Sequence, residues 1–396
     1  MTKKNNNIVG LLLIFLRLGI TSFGGPTAHI GYYREAFVDR RKWLTEQAFA
    51  DLLAVAQLLP GPTSSQIAMS IGALRGGIPG AVAALAGFSL PSAVLMIAFA
   101  YSLAAFENAA AGGWLAGLKL AALAVVANAV LGMARTLTPD RARATVALAA
   151  SALVIMVPGV IGQLAAIGLG ALAGGLLYRH EPVAKSGPVP DLIGRRTGAV
   201  CLALFVLAFV GFALAARLTE LPWLAVVDGL YRAGALVFGG GHVVLPLLEA
   251  VVVPPGWLDN ETFIAGYGAA QALPGPIFSI AAFIGASMAS GAASIALGVT
   301  CLIAIFLPGF LLVLGVLPFW GALRGKQGVR AALTGVNAAV VGLLGAALYD
   351  PVWTSAVATP LDFVLALAGF VALNRWKAPS WAVVIVLALS GGWLAG

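Results

Sequence analysis

Two short stretches place glycine, proline and polar side chains where apolar sequence surrounds them. "SFGGPTAHI" at 22–30 holds Phe23, Gly24, Gly25, Pro26 and His29; "VFGGGHVVL" at 237–245 holds Phe238, Gly239, Gly240, Gly241 and His242. Two further breaks read "LPGP": Pro60, Gly61 and Pro62 lead into Thr63 and Ser64, while Pro274, Gly275 and Pro276 lead towards Ser279. A helix that restarts after such a break aims unpaired N–H groups and the positive end of its dipole forward, which suits an anion. Glycine admits positive φ and close approach of a ligand, and proline in the first turn sacrifices no hydrogen bond. Four such starts would hold a small, compact, multiply charged oxyanion. A bulky organic anion would want an aromatic subsite, and none is evident. The competing reading is that Gly-Gly and Pro-Gly-Pro serve helix packing or kinks.

Other side chains bear on the same chemistry. Arg17 and Arg232 each precede a Phe-Gly-Gly by six residues, deep in apolar sequence. They are substrate ligands or, failing that, charges that snorkel or pair with an acid such as Asp228. His29 and His242 are two of the chain's three histidines, fit for ligand contact, proton sensing or a structural role. Gln57 and Gln271 stand three residues before the Pro-Gly-Pro triplets, placed to bind ligand or cap a broken helix. Glu46 and Asp51 are a proton relay or solvated carboxylates; Asp51 aligns with Ala265, so a relay belongs to one copy. Lys119 and Arg330 lie where snorkelling is expected.

The elements that must position these residues are membrane helices. The 396-residue chain is 61% hydrophobic and 10% charged, against about 25% charged for a soluble domain. Apolar runs of about 18–30 residues, rich in Ala, Leu and Val, specify an all-α integral membrane protein rather than a barrel. "MTKKNNNIVGLLLIF" resembles a signal peptide, but Arg17 interrupts its apolar core, so retention is expected. The net charge of +8 sits in short loops, which indicates topology and excludes nucleic acid as the partner. Cys201 and Cys301 have no CxxC spacing, and Walker A, HExxH and GxSxG sequences are absent. No cofactor, resident metal or catalytic residue is expected.

The chain is written twice. "RLGITSFGG" from Arg17 matches "RAGALVFGG" from Arg232, and "WLTEQAFADLLAVAQLLPGP" from Trp43 matches "WLDNETFIAGYGAAQALPGP" from Trp257. Residues 1–185 form a first repeat, 186–216 a basic linker plus an additional helix, and 217–396 a second repeat. Loop 34–42 carries Arg34, Arg40, Arg41 and Lys42, whereas its counterpart 249–263 carries no basic residue. Arg135, Arg141 and Arg143 likewise face a non-basic counterpart, and Arg324, Lys326 and Arg330 reverse the pattern. Positive-inside bias then makes the copies inverted, with re-entrant broken helices meeting near the midplane. The amino terminus and the linker 179–196 fall on the cytoplasmic side. The piece from Pro26 to Tyr33 spans only about 12 Å and must return to its own face. Hairpins are expected over 8–33, 45–75, 222–254 and 261–290, with full spans between and after them.

"FLRLGITSFGGPTAHI", "LTEQAFADLLAVAQLLPGPTSSQIA", "LVFGGGHVVLPLLE" and "AAQALPGP" together resemble the chromate ion transporter family in its long, two-domain form. The resemblance implies export of chromate across the inner membrane, with sulfate as competitor, and chromate resistance. The second copy departs from the first, since Pro26 becomes Gly241 and Thr63-Ser64 becomes Ile277-Phe278. An asymmetric site would therefore draw more on the first copy. Expected partners are small oxyanions and the bilayer, with a homodimer allowed. An oxyanion importer, an anion channel and, more remotely, an intramembrane lipid-phosphate phosphatase remain alternatives.

Overall fold

The computed structural model describes residues 7–106, 112–158, 160–179, 193–219, 221–238, 244–320 and 326–395. Among these the secondary structure is helical, with no strand. Helix α1 (Ile8–Thr21) begins where the Asn7 side chain accepts from the Gly10 amide, and it stops at Ser22 in extended conformation. Gly24 then turns left-handed at φ 98°, and α2 (Gly25–Arg34) restarts with Pro26 in its first turn. This second arm is longer than its apolar sequence suggests. It runs on as a π-helical stretch, Glu35–Arg40, adding six residues to ten. At 1.5 Å per residue the arm covers about 24 Å, still short of the roughly 30 Å of hydrocarbon.

The next break separates α3 (Glu46–Leu58) from α4 (Thr63–Phe106), and α4 is itself interrupted at Gly77 (φ 63°, ψ −151°). Helices α5 (Gly112–Leu137), α6 (Arg141–Met156), α7 (Val160–Leu177) and α8 (Arg195–Thr219) follow. The second half runs through α9 (Pro222–Leu236), α10 (Val244–Val252), α11 (Asn260–Ala272) and α12 (Ile280–Ser287). It continues with α13 (Ala292–Val316), α14 (Gln327–Ala347), α15 (Pro360–Asn374) and α16 (Ser380–Ala395). Five described helical segments are long and apolar enough to cross a bilayer. One of them, α8, is the added helix between the repeats. It packs on α9 and α13 and leaves Leu207, Val210 and Leu218 exposed, as a lipid-facing surface requires.

The halves trace one backbone path. Thr45 caps α3 by accepting from the Ala48 amide, and Asp259, its counterpart, caps α11 by accepting from Thr262. The residues that end those helices, Leu59 (φ −84°, ψ 145°) and Leu273 (φ −86°, ψ 148°), have the same conformation. Gly61 and Gly275 both take positive φ, at 124° and 95°. Gly77 is matched by Gly291 at φ 60°, ψ −141°. Only glycine meets such angles without strain.

Within each copy the first helix packs on the long one, α1 on α4 and α9 on α13, with Gly19 against the carbonyls of Gly87 and Phe88 and Gly234 against that of Ile305. The copies also interlock. Helix α5 of the first half docks between α15 and α16 of the second, while α14 of the second docks between α6 and α7 of the first. Small residues permit these approaches, as where Gly335 meets Gly170 and Gly174, and Gly117 meets Leu387. Beneath the first break, Phe15, Tyr33, Phe37 and Phe88 are fully buried and in ring contact, fixing α1, α2 and α4 together.

Candidate functional site

The Pro-Gly-Pro breaks cross the other breaks. The Gly61 amide donates to the Val237 carbonyl at 2.7 Å, and the Gly275 amide donates to the Ser22 carbonyl at 2.9 Å. Ser22 and Val237 are the residues just before the two Phe-Gly-Gly sequences. Each copy's triplet is therefore sewn to the other copy's break by a reciprocal bond. Glycine is needed for space as well as for its φ. A Cβ on Gly275 would meet Ser92 Oγ at 3.0 Å and the Phe88 carbonyl at 3.1 Å, and one on Gly61 would meet Gln66 Nε2 at 2.7 Å. The two amides are thus committed to backbone, and a ligand must be met by other groups.

Those groups gather around Gly275. The His29 ring, 1% exposed, places Nε2 3.2 Å from the Ser22 carbonyl and packs edge-on to Phe88, leaving Nδ1 without a partner. Ser92 Oγ lies 2.6 Å from Ser279 Oγ and bonds the Ser89 carbonyl at 3.0 Å. The hydroxyls of Ser22 and Ser89 are buried and unpartnered. On the first copy's side, Gln66 donates to the Pro60 carbonyl at 2.8 Å and leaves Oε1 unpartnered, as is the neighbouring Ser65 hydroxyl. Buried polar atoms normally find partners, so this concentration leaves bonding capacity that water or a polar solute could fill. Rotatable hydroxyls can each turn a proton towards an anion.

The structure brings only some of the residues singled out by sequence together. His29, Thr63, Ser64, Gln271, Gly61, Pro62, Pro274, Gly275 and Pro276 are buried around the crossing, with Pro60 half-buried beside it. The Gln271 backbone carbonyl accepts from Ser380. Gly24, Gly25 and Pro26 form the first restart. Phe23 leans towards Trp381, their ring centroids 6.2 Å apart, and Phe238 packs against Val336 and Val340. Gln57 is exposed, and Glu46 is an exposed partner of Arg34 at 2.9 Å. Asp51, five residues on, is 2% exposed with one carboxylate oxygen unpartnered. Lys119 pairs with Glu261 at 3.4 Å. Gly239, Gly240, Gly241 and His242 lie outside the described residues.

Ser65, which follows Thr63 and Ser64, is a hydroxyl donor that the sequence offers, whereas Ser22, Gln66, Ser89 and Ser92 were not among the sequence candidates. Serine is common in membrane helices and usually bonds its own backbone, as Ser70 does to the Gln66 carbonyl. The available signal was position, since Ser89 and Ser92 flank Pro91 in "FSLPS", opposite "IFLPG" of the second copy. The second copy's side is more apolar. Ile277 and Phe278 replace Thr63 and Ser64, and Phe278 packs on Phe306 with centroids 5.9 Å apart. Among the described residues no group of three or more His, Cys, Asp or Glu could hold a metal ion.

The two arginines fare differently. Arg232 Nε lies 2.9 Å from both carboxylate oxygens of Asp228, its Nη2 donates to the Phe209 carbonyl, and its guanidinium sits over the Phe209 ring at 4.5 Å. Pairing with Asp228 is therefore its observed role. Arg17 is exposed on α1 and lines a cleft beside α2. Arg232→Leu leaves Asp228 uncompensated at this depth and is expected to lower stability by about 2 kcal/mol. Arg232→Leu with Asp228→Leu should recover most of that loss. Thermal unfolding of the detergent-solubilised variants checks this.

The chromate transporter family profile matches residues 9–176 and 224–393, one stretch in each half. A chromate transport protein from Pseudomonas aeruginosa is 30% identical over 407 residues, covering 96% of this chain and 90% of the relative. A chromate transport protein from Cupriavidus metallidurans is 28% identical over 383 residues, covering 95% and 90%. No solved structure matches. With the family profile matching both halves, the chain belongs to the chromate transporter family.

Proposed function

We propose that the protein is a secondary transporter exporting chromate across the inner membrane by alternating access, with sulfate as a competing tetrahedral dianion. The observation that carries this reading is the reciprocal crossing of the breaks, Gly61 to Val237 and Gly275 to Ser22, amid unpartnered hydroxyl, imidazole and carboxamide groups. Neutral donors suit an ion that must leave as readily as it arrives. The two copies are inverted in the bilayer, with the amino terminus and the linker 179–196 cytoplasmic. The basic loops support that orientation. So does Arg75, whose guanidinium stacks on Trp43 at 4.5 Å and brings the foot of the second hairpin to the loop that ends the first. The first copy supplies most of the solute contacts, and no cofactor takes part.

Chromate efflux from proteoliposomes containing the purified protein tests the assignment. Flux should saturate, be inhibited by sulfate and fall at least about tenfold in His29→Ala or Ser89→Ala, removal of a hydrogen bond to a charged solute costing about 1.5–3 kcal/mol. Wild-type flux equal to protein-free liposomes for chromate and sulfate alike would reject it. Flux at channel-like rates without saturation would favour a pore.

A further inference from the structure

The repeat leaves two equivalent clefts, each beside the first broken helix of a copy, and they differ in what they can hold. The first, about 580 Å³, runs between α1 and the arm formed by α2 and its π-helical end, lined by Arg17, Thr21, Tyr32, Glu35, Arg40 and Arg41 among others. Its counterpart, about 200 Å³, is lined by Asp228, Arg232, Leu236, Leu247, Ala250 and Trp257 among others. At matched positions Thr21 becomes Leu236, Tyr32 becomes Leu247 and Glu35 becomes Ala250.

Charge separates them further. The first cleft has three arginines against one glutamate, an excess of two positive charges, and Glu35 is already engaged by Arg40. The second has one arginine and one aspartate, bound to each other. Arg41 feels the crowding, its pKa lowered by burial and then by Arg17 and Arg40. Its guanidinium is steadied near the Phe37 and Trp43 rings, at 5.9 and 5.8 Å. Arginine stays protonated regardless, so the cleft keeps its positive excess at neutral pH. Thr21, the last residue of α1, puts the inner end of the cleft next to Ser22, whose carbonyl receives Gly275.

We propose that the first cleft captures a compact, negatively charged oxyanion group and delivers it to the break, while the second cleft, neutralised by its own ion pair, is closed to anions. The proposal rests on the oxyanion-transport reading for its direction, and it makes the transporter one-sided: capture is built into one copy alone. The captured group is either a free oxyanion or the phosphate of an anionic lipid reaching through the open side.

The test uses full-length protein in nanodiscs of zwitterionic lipid, with radiolabelled sulfate as probe in equilibrium dialysis. Arg40→Gln with Arg41→Gln should weaken sulfate binding about tenfold or more, the scale of electrostatic focusing in a charged cleft. In chromate flux the loss should fall on KM rather than on the maximal rate. Glu35→Gln removes the acid that competes for Arg40 and should tighten binding, a gain that misfolding cannot imitate. Native mass spectrometry with phosphatidylglycerol separates the sources. If the arginine pair governs retained lipid while sulfate binding is unmoved, the ligand is a headgroup; if it governs sulfate in neutral lipid, the ligand is the free ion. Unchanged sulfate and lipid binding in both variants overturns the proposal. If the wild type carries no chromate while sulfate binding still follows Arg40, Arg41 and Glu35, the transport reading fails and the cleft assignment stands.

Discussion

Gly275→Val is expected to abolish chromate flux and to lower stability by about 4 kcal/mol, from left-handed strain of about 1–2 and overpacking of about 1–3 kcal/mol. Its φ of 95° excludes a β-branched side chain, and an added Cβ would already press on Ser92 Oγ and the Phe88 carbonyl. Relief of either contact pulls the Gly275 amide off the Ser22 carbonyl and parts the two copies at their crossing. Gly61→Val should act alike, through Gln66 and the backbone of Gly309. Two controls separate geometry from composition. Gly77→Ala has positive φ but open space, so strain alone, about 1–2 kcal/mol, should appear. Gly31→Ala, mid-helix with nothing within 4 Å, should be neutral or slightly stabilising. Thermal unfolding and proteoliposome flux report on all four, and wild-type flux in Gly275→Val would mean that the crossing has no part in transport.

A second large effect is expected from the membrane potential. Moving one charge through 100 mV is worth about 2.3 kcal/mol, so a dianion leaving a negative interior gains about 4.6 kcal/mol. At about 1.4 kcal/mol per decade, this supports a concentration ratio of roughly three decades without a pH gradient. Chromate-loaded proteoliposomes clamped at −100 mV by a potassium gradient and valinomycin should empty towards that ratio. Reversing the gradient should reverse the net flux. Flux indifferent to potential would require charge compensation, by two protons leaving with each dianion or by an entering dianion, and proton cotransport is then the coupling to measure, with Asp51 the buried carboxylate to replace.

The duplication was legible because arginine, tryptophan, glutamine, glycine and proline recur in order, and the structure matches it in the paired dihedrals of Leu59 and Leu273 and of Gly77 and Gly291. Helix limits were mostly legible too. The exception is α2, where Arg34 to Arg40 read as a loop. Charged residues there extend the helix instead, because Arg34 bonds Asp39 and Glu46 while Arg40 bonds Glu35 at an exposed helix end. Backbone exchange across the breaks had no side-chain signature, so the commitment of the Gly61 and Gly275 amides was invisible. Composition promised four free helix starts; folding spent two of the best-placed amides on holding the copies together. The pairing of Arg232 with Asp228 was readable as an i, i+4 couple. The absence of an equivalent acid beside Arg17 gained meaning only once Arg40 and Arg41 were seen to share its cleft.

The exchange of α5 and α14 between halves has a mechanical consequence. Neither repeat has a complete set of packing faces by itself, so the boundary in sequence is not a hinge in space. A body that moved as a unit would have to be assembled from both halves, with the helices clasped by the opposite copy as its frame. Severing the polypeptide at the linker would yield two strands of one woven object rather than a pair of independent leaves.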